Sequence, residues 1–367
     1  MTEPAGENRL SVKPEYWRYF AGEAAKGGDC PLYEHLASAV ADDPAMQAVT
    51  ATARSGQPPA NMLFAAVHYV LLGGAEHGLR RYYSHLLQPG ESEAPIGPQA
   101  YELFRDFVAA HRAQIDPLVA ARVTNTNEVR RSSYLRAGYA EIARLTGRAL
   151  HIVELGPSAG LNLNWDRYGY RYVHADGRVL EGGPASRLVI ESEWRGEVPP
   201  PVPASPPLVA ARAGLELNPV DPASPEDRRW LVALLWPGQP ERIARMEAAL
   251  AIAADHPPPI RACDALADLP GELAQVAPES AAVVSHSMVT YQWSEAMWAR
   301  LEEILLAASA TRPVYRLFQD TIARTGDATR YTLRLRIYDK AVMSERLLAE
   351  VHHHGAWIRW LGQAPPD

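Results

Sequence analysis

The hydrophobic pattern changes period once along the chain, near Leu150. From residue 15 to about 148, apolar residues return at three and four spacing, the period of a buried helix face. "CPLYEHLASAVAD" enters a helix through a proline, and "NMLFAAVHYVLL" (61–72) is apolar on nearly every side until Gly73-Gly74 stops it. "PQAYELFRDFVAAHRAQI" continues the helical run, and no strand pattern of comparable strength interrupts it. This predicts an all-helical N-terminal domain over 1–132.

After the helix predicted by "SSYLRAGYAEIARLTG", the pattern becomes that of an α/β domain, assigned to 133–367. "ALHIVELG" is a compact strand closed by glycine, and "LNLNWDRY" predicts the start of a helix. "YRYVHADGRVL" and "SRLVIESEWRG" predict short strands, the first pair turning at Asp176-Gly177. The proline-rich "PPPVPASPP" then predicts an extended connector, so that 170–207 reads as an insertion. Strand and helix alternate again from "VAARAGLELNP" through "PIRACD", "SAAVVSHS" and "PVYRLFQD", which predicts a parallel sheet with helices on both faces. The last three β-like segments, "YTLRLRIYD", "ERLLAEV" and "AWIRWL", lack intervening helices and predict an antiparallel edge.

Composition narrows the partners. The chain has 367 residues, 47% of them hydrophobic, and a formal net charge of -7 with its cations scattered, which argues against nucleic acid. Its longest apolar run falls short of the roughly 20 residues that span a bilayer, and the first residues carry no apolar leader segment. Two distant cysteines, Cys30 and Cys263, suggest neither disulfides nor zinc, and a cytoplasmic setting is expected. The oligomeric state is not legible.

Candidate chemistry centres on Gly156-Pro157-Ser158-Ala159-Gly160, which fits two motifs. As G-x-S-x-G it would lift Ser158 as a nucleophile, with Asp320 and one of His352, His353 or His354 following in hydrolase order. The helical rather than stranded region upstream argues against that fold. Ser287 in "VVSHSMV" is a second serine of this kind, excluded by the β-branched Val289 where a sharp turn needs a small residue. As E-x-G-x-S-x-G, the stretch is a turn whose backbone amides face a nucleotide-like cofactor. Later strands then end in suitable acceptors: Glu216 for ribose hydroxyls, although 60 residues from Gly156, and Asp264 with the Ala265 amide for adenine. His286 and Tyr291 would border the reacting position, His286 as a neutral base and Tyr291 orienting an acceptor. Each has a structural alternative: a cap or turn for the carboxylates, core packing for His286 and Tyr291. Three adjacent histidines would not converge on one ion in a strand, and His352 to His354 read instead as a surface turn closed by Gly355, so no metal is expected.

In that order, "VELGPSAGLN", "GLELNP", "CDAL" and "VVSHS" resemble motifs I to IV of class I S-adenosylmethionine-dependent methyltransferases. The wider set "TNEVRRS", "ELGPSAGLNLNWDRYGY", "LELNPVDPASPEDRRWLVALLWPGQPERIARM" and "HSMVTYQW" is similar to a bacterial family of unknown function with such a core. The resemblance implies a Rossmann-like sheet and a bound S-adenosylmethionine. Glu154, Gly156, Ser158, Gly160 and Asn162 would form the methionine-side turn, Glu216 the ribose contact, and Asp264 with Ala265 the adenine contact. Asn127, Glu128 and Arg131 would close the pocket. Ser158 departs from the glycine of the methyltransferase pattern. The expected function is methylation of a nitrogen or oxygen on a small molecule. The alternatives are a cofactor-free protein of the same fold, such as a binding subunit or an enzyme of elimination, and, less directly, a serine hydrolase.

Overall fold

The computed structural model describes residues 13–26, 30–203, 205–289, 293–325 and 328–362, with side chains described outside 320–330. Two compact units emerge: residues 1–126 with 224–247, and residues 127–223 with 248–367. Residues 224–247, which the strand and helix alternation groups with the second unit, are gathered into the first.

In the first unit the elements are helices: α1 (Pro14–Ala25), α2 (Pro31–Val40), α3 (Pro44–Ala48), α4 (Pro59–Leu72), α5 (Pro98–Ala110) and α6 (Arg112–Ala121). All but α6 open on proline, whose fixed φ suits the first helical position and whose missing N–H would have no partner there. In α4, Met62 to His68 are buried without a break, as the all-round apolar pattern predicts. Tyr33 stacks on Phe64 of this helix with centroids 4.4 Å apart.

The second unit begins with α7 (Ser132–Thr146) and β1 (Leu150–Leu155). It continues with β2 (Gly169–His174), β3 (Val179–Gly182), β4 (Val189–Trp194) and β5 (Val209–Glu216). The chain then passes through α8 (Pro225–Ala233) in the first unit and α9 (Pro240–Asp255), and returns with β6 (Ile260–Ala262), α10 (Ala265–Ala274), β7 (Ala281–Ser287) and α11 (Glu295–Ser309). It ends in β8 (Val314–Thr325), β9 (Ala328–Asp339), β10 (Val342–Val351) and β11 (Trp357–Trp360).

All eleven strands join one mixed sheet in the order β3-β2-β4-β11-β10-β9-β8-β7-β1-β5-β6. The parallel portion runs β6, β5, β1, β7, β8, with β1 between β5 and β7. Buried on both faces, β1 reads as an apolar run interrupted by His151 and Glu154.

Two expectations are corrected. The final antiparallel segments are interior: β11 pairs parallel with β4 through Trp357↔Glu193 and Ile358↔Trp194, so the insertion extends the same sheet and its edges are β3 and β6. The alternating burial of β4 showed one buried face but not which strand would lie beside it. The segment "LNLNWDRY" is a 3-10 stretch over Leu161–Arg167, kinked at Asn164, rather than an α-helix. Its polar groups bond outside a regular helical ladder: the Tyr168 hydroxyl returns to the Leu161 carbonyl at 2.6 Å, and Asn164 donates to the distant His256 carbonyl at 3.0 Å.

Candidate functional site

β1 ends in a turn with left-handed backbone at every second residue: Gly156 at φ 64°, Ser158 at 59° and Gly160 at 68°. The glycines are required by space as well as by angle. A Cβ on Gly156 would lie 2.7 Å from Val289 Cγ2, and one on Gly160 would lie 2.7 Å from Pro258 Cγ. Ser158 occupies its position without glycine's freedom and is 2% exposed.

The turn is held by the end of the neighbouring strand. The Ser158 amide donates to Glu216 Oε2 at 2.8 Å, and the Asn218 amide donates to Glu216 Oε1 at 2.9 Å. The carboxylate thus clamps two backbone loops, which offsets the cost of its burial. After it Leu217 is 73% exposed, an apolar side chain presented to solvent at the carboxyl edge of β5.

Residues preceding α7 reach the same turn. Asn127 Oδ1 accepts from the Leu161 amide at 3.0 Å, and Asn162 donates to the Glu128 carbonyl at 3.4 Å. The Glu128 side chain accepts from the Arg130 amide at 3.2 Å, capping the short 3-10 stretch Val129–Arg131. Arg131 is buried and donates to the carbonyls of His353, at 3.0 Å, and Ser287, at 3.5 Å.

Glu154 is buried, near enough for its charge to act on Tyr134 and Tyr139 of α7, and its Oε2 has no hydrogen-bond partner. Burial pushes its carboxyl up to about 8; the Arg131 charge pulls it down and Glu216 adds to the rise.

His286 lies apart. On β7, Ser285 accepts from the Tyr139 hydroxyl on the α7 side, whereas His286 stacks on Phe318 with centroids 5.3 Å apart and meets Trp298 of α11. Adjacent strand residues point to opposite faces, so His286 and Glu154 are on opposite sides of the sheet. His286 Nε2 accepts from Arg316 Nε at 3.1 Å, which occupies the basic nitrogen of a neutral ring. Burial, and then the charges of Arg316 and Arg336, hold that ring well below its usual range, hence neutral.

Asp264 is exposed and caps α10, its Oδ1 accepting from the Leu266 amide at 2.9 Å and the Ala267 amide at 3.3 Å, with half-buried Ala265 opening the helix. Tyr291 lies outside the described residues, as does the side chain of Asp320. The three histidines sit in the β10–β11 turn, as their closure by Gly355 suggests, and their rings gather there, His353 and His354 with centroids 3.9 Å apart. Among the described residues, no group of three or more His, Cys, Asp or Glu is placed to hold a metal ion. The turn packs against the start of α7, where Gly355 accepts from Ser133 and Ser192.

The structure therefore brings together Asn127, Glu128, Arg131, Glu154, Gly156, Ser158, Gly160, Asn162 and Glu216, and separates His286 from them. Two further buried residues join the α7 side: the Tyr134 hydroxyl donates to Gln319 Oε1 at 2.7 Å, leaving Gln319 Nε2 without a partner. The residue after "YRLF" carried the only available signal, an amide at the end of an apolar strand.

A mixed α/β chain with a large, mostly parallel sheet and a glycine-turn site at its carboxyl edge is thereby defined. The chain belongs to the family described as "Uncharacterized protein conserved in bacteria (DUF2332)", whose model matches residues 16–360. No curated protein matches it, and no solved structure does. No helix among the described residues is long and apolar enough to cross a membrane.

Proposed function

We propose that the carboxyl edge of β1, β5 and β6 binds S-adenosylmethionine and that the protein methylates a small-molecule nitrogen or oxygen. One observation carries this reading: a buried carboxylate without a partner, Glu154 Oε2, beside a turn whose central left-handed residue, Ser158, is held by the acid ending the neighbouring strand. An isolated buried carboxylate is costly unless a cation or donor meets it, and the ammonium of the cofactor's methionine end is such a group. Exposed Leu217, between Glu216 and the strand leading to Asp264, suits the flat apolar face of an adenine.

In this reading Glu154 accepts from the ammonium and Glu216 takes the ribose hydroxyls while keeping the turn closed. Asp264 accepts the adenine amino proton through the oxygen that does not cap α10. Asn127 and Glu128 fix the turn that Asn162 completes, and Arg131 limits the charge around Glu154. S-adenosylmethionine, when bound, supplies an electrophilic methyl group. The protein's contribution is alignment of an acceptor with it and exclusion of water. An amine acceptor attacks through its lone pair and needs no base beforehand, which agrees with the engagement of His286 by Arg316.

The close packing of Val289 on Gly156, and of Pro258 and Ile260 on Gly160, favours a second reading in which the fold has lost its cofactor and serves as a binding subunit. Calorimetric titration of S-adenosylmethionine and S-adenosylhomocysteine decides between them. Binding that weakens at least about tenfold in Glu154→Gln and Leu217→Asp, the loss of roughly 1.4 kcal/mol, supports the first reading. Absence of binding to the wild type overturns it in favour of the second.

A further inference from the structure

On the α11 face of the sheet, away from the glycine turn, five side chains form an alternating chain of charge: Arg316, Glu302, Arg336, Glu345, Arg334. Arg316 donates to Glu302 Oε1 at 2.5 Å, Arg336 donates to the same oxygen at 2.7 Å and to Glu345 at 2.6 Å, and Arg334 pairs with Glu345. The Tyr338 hydroxyl donates to the second oxygen of Glu302 at 2.8 Å. An alternating chain with arginine at both ends holds one more positive than negative charge. Arg334 is partly exposed and solvated, with a side-chain exposure of 24%, whereas Arg316 at the inner end has 0%.

The inner end also carries unused donors. Arginine has no acceptor atom, so the contact between Arg316 Nε and His286 Nε2 fixes the imidazole as acceptor there and, in the neutral ring, places its proton on Nδ1. That Nδ1 is buried without a partner, and so is Arg316 Nη2, on the same guanidinium edge as Nε. Two buried N–H donors on touching side chains, beside an unbalanced cation, are a costly arrangement unless an anion meets them. The guanidinium is flanked by Phe318 at 4.3 Å and by half-buried Trp298 at 5.0 Å, apolar faces that suit the hydrocarbon part of an organic acid better than a hydrated ion.

We propose that Arg316 and His286 form a binding site for a small monocarboxylate, one oxygen accepting from Arg316 Nη2, the other reached from His286 Nδ1 through a bridging water, and its alkyl end resting among Trp298 and Phe318. The carboxylate completes the charge alternation at its buried end. This site stands independently of the cofactor reading, since it lies on the other face of β7 and shares no residue with the turn.

The probe is sodium acetate exchanged for sodium chloride at constant ionic strength, followed by tryptophan fluorescence and by calorimetry. The expected result is a saturable acetate signal, absent with chloride. His286→Leu and Arg316→Met should weaken acetate at least about tenfold, and Trp298→Phe should lose the fluorescence change while keeping calorimetric binding. His286→Leu guards against a misfolded Arg316→Met, because it leaves the ion chain intact. Equal responses to acetate and chloride, no acetate binding, or undiminished binding in His286→Leu would each overturn the proposal.

Discussion

Replacing Glu154 by glutamine should make the protein more stable in mild alkali. The native carboxyl holds its proton up to about 8, while in the unfolded chain it ionises near 4.5. Between these values the native state binds more protons than the unfolded one, so stability is fully present below the unfolded pKa and is lost as pH rises through the folded one. At 1.36 kcal/mol per unit the difference corresponds to about 5 kcal/mol, a ceiling that water entry and relaxation reduce. Glutamine keeps the shape and cannot ionise, at a roughly constant expense of about 1 kcal/mol for an unpaired N–H in place of an unpaired oxygen. Urea unfolding followed by tryptophan fluorescence should therefore find Glu154→Gln within about 1 kcal/mol of the wild type near pH 5, and about 2–4 kcal/mol more stable near pH 8.5. The other titrating groups largely cancel in the difference between the two proteins. A difference that does not change with pH would refute the argument, since it would mean that Glu154 is solvated or paired in the native state. If the same substitution also weakens S-adenosylhomocysteine, Glu154 is a group retained for binding at the expense of stability.

Three further outcomes follow from the same geometry. Ser158→Gly should change stability by less than about 1 kcal/mol in thermal unfolding, because relief of the left-handed backbone at φ 59° is offset by the freedom glycine adds to the unfolded chain. Gly355→Ala should destabilise by more than about 2 kcal/mol, since its φ of 75° and the overlap of a new Cβ with the Arg130 carbonyl oxygen both oppose it; chemical denaturation measures this. A fluorophosphonate probe should leave Ser158 unlabelled, as read by mass spectrometry of the intact chain; labelling that disappears in Ser158→Ala would revive the hydrolase alternative.

Strands β1 and β7 could be read from the sequence because each is a short, largely apolar run ending at a polar turn, and burial on both faces leaves that signature. Asn127 and Glu128 were findable only through resemblance: nothing in their local pattern says that they reach Leu161 and Asn162. Strand order beyond β8 was not legible, because which edge a β-segment joins depends on contacts between distant residues, as Ile358 with Trp194 shows. The engagement of His286 was equally hidden. Its partner, Arg316, is separated from it by 30 residues and looks in the sequence like a surface cation in an apolar strand. A charged residue within a hydrophobic strand signals a need for partners without naming them.

The pairing of β11 with β4 also has a consequence for the order in which the chain is made. Trp194 leaves the ribosome well over a hundred residues before its neighbour Ile358, an interval on the order of ten seconds at about 5–20 residues per second. Until then the β2–β4 strands have a finished hairpin on one side and an open edge on the other, with Ile190 and Trp194 on the face that is later buried. Strand β11 is thus a closing element, and a nascent chain stalled before it would display an adhesive edge to whatever chaperone or neighbouring chain is nearest.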